Sequence, residues 1–356
     1  MRHSLTILTA TALGIIFVLT GCARNPFAEA LPADRQVKIV MKGNADTGQA
    51  LVDDETQYAA LYDTTYDMTR GINGMVVGLL GITRWIVSNP PSEQPDEDHA
   101  VWGPSEPDGL ERLQYKATAE RLAEGEFKFE LLARPKDSED EADYGAIYTL
   151  NYTRVDVEVG HGTIEIDRDV HKAIDPMDPD ICDSGKAVVT FSNDGEDSMK
   201  RVDIDFSELD RSGCDDNAQL GVYHYAEAED GSGDFSFSAF GNIHEGAEAA
   251  LKPETESLTI RSQWKPTGEG RTDVIVADGA VPADLTACGA PCEGLTEVVA
   301  TQCWDSGFVS RFESTVPEVL QPHILPGVDA AGALNPVGDE TLCPFDFADP
   351  TQNPNS

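Results

Sequence analysis

Positive charge is scarce in this 356-residue chain: 25 lysines and arginines face 64 aspartates and glutamates, a net charge of −39. A chain so acidic is not a nucleic-acid binder, because release of counter-ions by a basic patch drives that association. Its body is also repelled by an anionic membrane surface. Catalytic signatures are missing as well. No Gly-x-Ser-x-Gly elbow presents a nucleophile, no His-Glu-x-x-His pair can hold zinc, the seven histidines are dispersed, and no glycine-rich loop joins a strand to a helix around a phosphate. Pairs of carboxylates suited to glycoside hydrolysis could be drawn anywhere among so many acids, so they discriminate nothing. His161 and His171 flank Ile164 and Ile166; a cleft joining either to a buried carboxylate is what an enzymatic reading would require. The acid excess itself fits hydration in a salty medium, or a cationic partner.

What is present is concentrated at the start. Arg2 and His3 precede an apolar stretch from Leu5 to Leu19, interrupted by Thr6, Thr9, Thr11 and Gly14, and the stretch closes on Leu19-Thr20-Gly21-Cys22. Its length is that of a signal peptide rather than a membrane span. The four closing residues resemble the lipobox of bacterial lipoproteins, a likeness confined to about the first two dozen residues. The resemblance implies cleavage before Cys22, a thioether from that cysteine to diacylglycerol and acylation of its amine, which together anchor the chain to the membrane. Each buried methylene contributes about 0.8 kcal/mol, so several acyl chains hold where one is marginal. Ala23 follows the anchor in place of the aspartate that retains such lipoproteins on the inner membrane, so the expected location is the cell envelope, at the outer membrane. Residues 1–21 are then the signal peptide and 22–50 a lipid-anchored tether, with Asn25-Pro26 and Leu31-Pro32 as breakers. Val37 to Met41 could form a short strand within it.

Apart from Cys22 there are six cysteines, an even number in a compartment that permits disulfides. Cys182 and Cys214 flank a predicted hairpin and can staple its open end. Cys288 and Cys292 can close their own loop, which leaves Cys303 to pin the tail through Cys343. A zinc site from Cys288, Cys292 and Cys303 is the alternative, but no fourth ligand stands at customary spacing.

Residues 51–316 form one domain in this reading. Leu61, Tyr62, Thr65, Met68, Ile72, Met75, Val76, Leu79 and Ile86 recur at helical intervals from about Asp53 to Ser88, and Pro90-Pro91 stops the helix. Gly71, Gly74, Gly78 and Gly81 fall along one side, which predicts close approach by a neighbouring backbone. Gly74 and Gly78 form a Gly-x-x-x-Gly, the signature of packed membrane helices. The apolar core from Gly71 to Val87 is short, however, and holds Asn73 and Arg84. The expected placement is a helix buried beneath the following sheet; a third arrangement leaves it exposed and dipping into lipid.

After a proline-rich acidic linker, Asn89 to Gly109, the period changes to two: Phe127, Phe129, Leu131; Tyr148, Leu150, Tyr152; Val202, Ile204, Phe206, and further runs to Trp304. The fold class is mainly β (α+β), an antiparallel curved sheet or half-barrel packed on the N-terminal apolar helix, because half-buried strands need a cover and that helix can supply it. Two β-sandwiches are the alternative. Residues 317–356 form a Pro/Gly-rich C-terminal tail.

Two candidate sites follow. Trp85, Trp102, Trp264 and Trp304 can line a cavity between helix and sheet, although such residues are more often core. Asp175, Asp178, Asp180 and Asp183, joined by Asp215 and Asp216 if Cys182 pairs with Cys214, can offer hard oxygen ligands to Ca²⁺, though their spacing departs from the EF-hand. The expected function is that of a non-enzymatic envelope lipoprotein that binds a lipid or other apolar ligand, as lipoprotein carriers of the half-barrel type do, or that serves a structural role. The alternative is an acidic, calcium-dependent module that binds a protein partner at the cell surface.

Overall fold

The structure, a computed structural model, describes residues 26–38, 40–41, 59–105, 112–156, 159–178, 181–193, 199–213, 219–241, 255–279, 297–316 and 337–345. Three helices lead the described chain: α1 (Pro26–Ala30), α2 (Asp34–Val37) and the long α3 (Ala60–Val87). Strands follow: β1 (His99–Trp102), β2 (Leu113–Ala123), β3 (Glu126–Pro135), β4 (Gly145–Asp156) and β5 (Val159–Asp167), then the short helix α4 (Arg168–Ile174). The chain continues through β6 (Ser184–Ser192), β7 (Lys200–Asp205), β8 (Leu209–Asp210), β9 (Gln219–Glu227), β10 (Gly233–Gly241), β11 (Glu256–Trp264), β12 (Gly270–Ala277), β13 (Glu297–Trp304), β14 (Ser310–Val316) and β15 (Val337–Gly338).

These strands form a single antiparallel sheet. Its path runs from β1 to β15 in chain order, with β8 pairing to the side of β6, and its two ends do not meet. The expected curved sheet on a helix is therefore the architecture, and two sandwiches are not. Period-two burial explains it locally: in β6 the side chains of Ala187, Val189 and Phe191 are buried and those between them are not, so one face is apolar and must be covered.

Helix α3 covers it by running across the strands. Near its start the Leu61 amide donates to Gln302 Oε1 of β13 at 2.7 Å. One turn later Thr65 Oγ1 lies 2.8 Å from Ser262 Oγ of β11, and near the far end Thr83 Oγ1 lies 3.1 Å from the Tyr148 hydroxyl of β4. Leu61 to Thr83 rises about 33 Å at ~1.5 Å per residue, and the strand path from β13 to β4 advances about 38 Å at ~4.8 Å per step. The near match means that the helix lies along the hydrogen-bonding direction of the sheet, which bends around it. Thr65, Thr69, Val76, Leu80, Thr83 and Val87, on one side of α3, are buried against the sheet.

Three expectations are corrected here. The stretch 22–50 is not a tether throughout: Phe27 is fully buried and meets Trp102, Phe127 and Phe129 edge-on at 6.3–6.4 Å, and Arg84 of α3 donates to the Pro32 carbonyl and to Asp34. The described residues of the Val37–Met41 stretch join no sheet; Val37 ends α2, and the Val40 amide donates to the Tyr225 hydroxyl. Nor does any backbone press on the glycine stripe of α3, since a Cβ at Gly71, Gly74, Gly78 or Gly81 would have nothing within 4 Å. The stripe faces away from the sheet because α3 needs only one side for its cover. Among the described residues no helix is long and apolar enough to cross a membrane.

Candidate functional site

An apolar cleft of about 200 Å³ opens between the second half of α3 and strands β1 to β5. The helix contributes Leu79, Ile82, Thr83 and Ile86, which share one side at intervals of three and four. Facing them are Trp102 of β1, Ala117 of β2, Phe129 and Leu131 of β3, Ile147 and Tyr148 of β4 and Ile166 of β5. Helix α4 forms the rim with Arg168 and His171, and Asp167 caps it by accepting from the Val170 amide at 2.9 Å. Gly145, which starts β4, lets α4 approach: a Cβ there would lie 2.5 Å from Val170 Cγ1.

Inside the cleft the hydroxyls of Thr83 and Tyr148 are paired with each other. Thr83 Oγ1 stands between the Leu79 carbonyl at 3.2 Å and the Tyr148 hydroxyl, and burial pushes that phenol up to about 12, so it stays protonated. At the rim burial, and then the Arg168 guanidinium, hold His171 below the usual imidazole range. Arg168 is paired with Asp183 at 2.8 Å. The cleft does join His171 to a buried carboxylate, Asp167, but Asp167 gives one oxygen to the helix cap and the other to Lys186 at 3.0 Å. That carboxylate is committed to structure. The arrangement suits an apolar chain in the cleft and a polar group at the α4 rim.

The structure separates the four tryptophans. Trp102 lines the cleft, with its indole N–H on the Asn89 carbonyl at 2.8 Å. Trp85 does not line this cleft: it is 71 % exposed on the outer side of α3. Trp264 and Trp304 are core residues of the other half of the sheet. The correction has a simple cause, since the four sit on different sides of α3 and different strands, and composition carries no such information.

Of the acidic cluster, Asp175, Asp178 and Asp183 are described. Asp175 pairs with Arg112 at 3.2 Å and Asp183 with Arg168; Asp178 lies in the turn after α4, while Asp180, Asp215 and Asp216 lie outside the described residues. Among the described residues no group of three or more His, Cys, Asp or Glu side chains could hold a metal. Cys303 and Cys343 form a disulfide with Cα atoms 5.4 Å apart, which pins β15 and its flank to β13 as the spacing suggested. Cys182 is disulfide-bonded too, and its carbonyl lies against Gly213. Cys22, Cys214, Cys288 and Cys292 are outside the described residues.

Sequence reasoning missed a repeated device. Trp264 stands across from Gly233 and Trp304 across from Gly270. Each indole covers its glycine and donates to the carbonyl of another glycine two residues earlier, Gly231 at 3.2 Å and Gly268 at 3.0 Å. An aromatic ring laid over a cross-strand glycine fixes register and shields the backbone. The legible signal was Gly-x-Gly in the turns Gly231-Ser232-Gly233 and Gly268-Glu269-Gly270, each paired with a tryptophan closing the next strand. No known protein family matches the chain, and neither a curated protein nor a solved structure is similar to it.

Proposed function

We propose that this chain is a lipoprotein of the bacterial cell envelope, held at the outer membrane through Cys22, that accommodates an acyl chain in the cleft beside α3 and performs no chemistry on it. The observation that carries this reading is the lining of the cleft: mostly aliphatic and aromatic side chains from α3 and five strands, with charge only at the α4 rim and at Glu130 of β3, which Lys128 pairs at 2.9 Å. Apolar surface left open to water is costly at about 25 cal/mol per Å², and an acyl chain removes it. The lipobox supplies the location, and Phe27 supplies a link between the two, because it packs on the cleft residues Trp102 and Phe129 only five residues beyond Cys22.

Native mass spectrometry of the full chain with Cys22→Ala, exported without its own lipid, tests the cleft. A bound fatty acid or phospholipid is expected, and Ala117→Phe, which puts a ring into the cleft, is expected to abolish it. A bare wild-type mass, together with no uptake of a fluorescent fatty acid, would sink the reading.

A further inference from the structure

The outer side of α3 changes character half-way along. Its first turns present Asp63, Asp67 and Arg70 to solvent. From Gly71 onward the exposed positions of the helix are Gly71, Gly74, Gly78, Ile82 and Trp85, with Gly81 half-buried beside them, Ile82 52 % and Trp85 71 % exposed and no charge among them. This strip spans about 21 Å at ~1.5 Å per residue. Apolar surface without charge is out of place on a chain of net charge −39, unless an apolar phase meets it.

We propose that this strip lies on the lipid surface to which Cys22 tethers the chain, so that the mouth of the cleft faces the bilayer. The inference rests on the lipid-anchor reading. Four observations favour lipid as the occupant. Cys22 is four residues from Pro26, so the anchor lies within about 14 Å of it at ~3.5 Å per residue. Pro26 opens α1, which together with α2 flanks α3, where Arg84 binds the Pro32 carbonyl and Asp34 one residue from Trp85. The anchor therefore emerges at the same end of α3 as the exposed indole. Tryptophan favours the membrane–water interface, where its ring is apolar and its N–H is wet. An uncharged strip is also where an acidic body meets anionic headgroups with least repulsion. Ile82 belongs both to the strip and to the cleft, so docking would let an acyl chain pass between bilayer and cleft without crossing water.

The test uses the full lipidated chain in vesicles of phosphatidylethanolamine and phosphatidylglycerol whose acyl chains carry bromine, a contact quencher of indole. Mass spectrometry first establishes the lipid on Cys22. Trp264 and Trp304 are shielded in the core, so quenching reports Trp85 at the strip and Trp102 in the cleft, and Trp85→Phe separates the two. The expected result is loss of the Trp85 emission in wild type and its retention in Gly78→Asp, a substitution with nothing nearby to clash. Anchored protein whose Trp85 emission is unchanged by brominated lipid overturns docking, while quenching of Trp102 in Trp85→Phe still supports the cleft. A Trp85 shielded instead by a second copy, seen as a doubled mass in native spectra, also overturns it. An unmodified Cys22 would remove the anchor and the proposal with it.

Discussion

The two halves of the sheet treat the same helix differently. Over β9 to β14 the space beneath α3 is filled: Trp264 and Trp304 close the strands, Tyr62 stacks on Phe308 at 4.5 Å and meets Trp304 at 5.5 Å, and Thr65, Ser262 and Thr272 form a buried hydroxyl cluster. Over β1 to β5 the side chains facing α3 do not close on its second half, and a cleft remains. The first is a core in the ordinary sense, with large aromatic side chains buried against the helix. The second is a core with a cleft left along one edge of the helix. A single helix can serve both purposes because it crosses the strands rather than lying along one of them.

Variants can break this contrast, and the largest effect belongs to the filled half. Trp304→Ala or Trp264→Ala is expected to cost about 3–5 kcal/mol, since each leaves a ring-sized cavity and uncovers a glycine. Trp102→Ala, beside space that already exists, should cost less; urea denaturation of the three variants checks the ranking, and equal losses would deny that the halves differ. Cys343→Ser should lower stability by about 2–4 kcal/mol through release of the β15 flank, read by the same denaturation midpoints without reductant.

Glycine substitutions sharpen the comparison because opposite signs are expected. Gly270→Ala drives a methyl group into the Trp304 ring and should destabilise by about 1–3 kcal/mol. Gly78→Ala meets nothing within 4 Å and should stabilise α3 by about 0.5–1 kcal/mol. Thermal melts of the two, in the protein with Cys22→Ala, decide it; a loss of stability in Gly78→Ala would show that the stripe is covered after all.

The smallest effect is a pH dependence on the convex face of the filled half. His224 of β9 bonds Asp203 of β7 at 2.5 Å and lies 3.5 Å from Asp234 of β10. The hydrogen bond to Asp203, then that to Asp234, raises the imidazole to about 9. Its folded value stands above its unfolded one, so the stabilisation is complete below the free value of 6.5 and is lost as pH rises through about 9. Wild type should therefore lose its advantage over His224→Gln across that interval; parallel curves would refute the linkage.

Much of this was legible in the residues. Period-two runs such as Tyr148, Leu150 and Tyr152 fixed strands because alternate side chains of an extended chain point to opposite faces. The intervals of Thr65, Met68, Ile72, Val76 and Leu79 fixed α3 for the corresponding reason, and the need of both for cover fixed their pairing. The glycine stripe was misjudged. Spacing shows that Gly71, Gly74, Gly78 and Gly81 share a side, but which side meets the sheet depends on Thr65 and Thr83 finding hydroxyl partners across long separations. The cavity residues were misjudged for the same reason: rarity singles out tryptophan, while enclosure depends on which strand each tryptophan occupies and where α3 passes.

By itself the sequence determined the elements, their antiparallel order and the acidity, because each depends on composition or on neighbours close along the chain. Tertiary structure alone decided that α3 crosses the strands, that α1 and α2 join the core, that Trp85 stands in solvent while Trp102 borders a cleft, and that Asp167 is committed to a helix cap and Lys186. Each of these is a meeting of residues far apart in sequence, and such meetings are set by how a bent sheet closes over one helix rather than by any local preference.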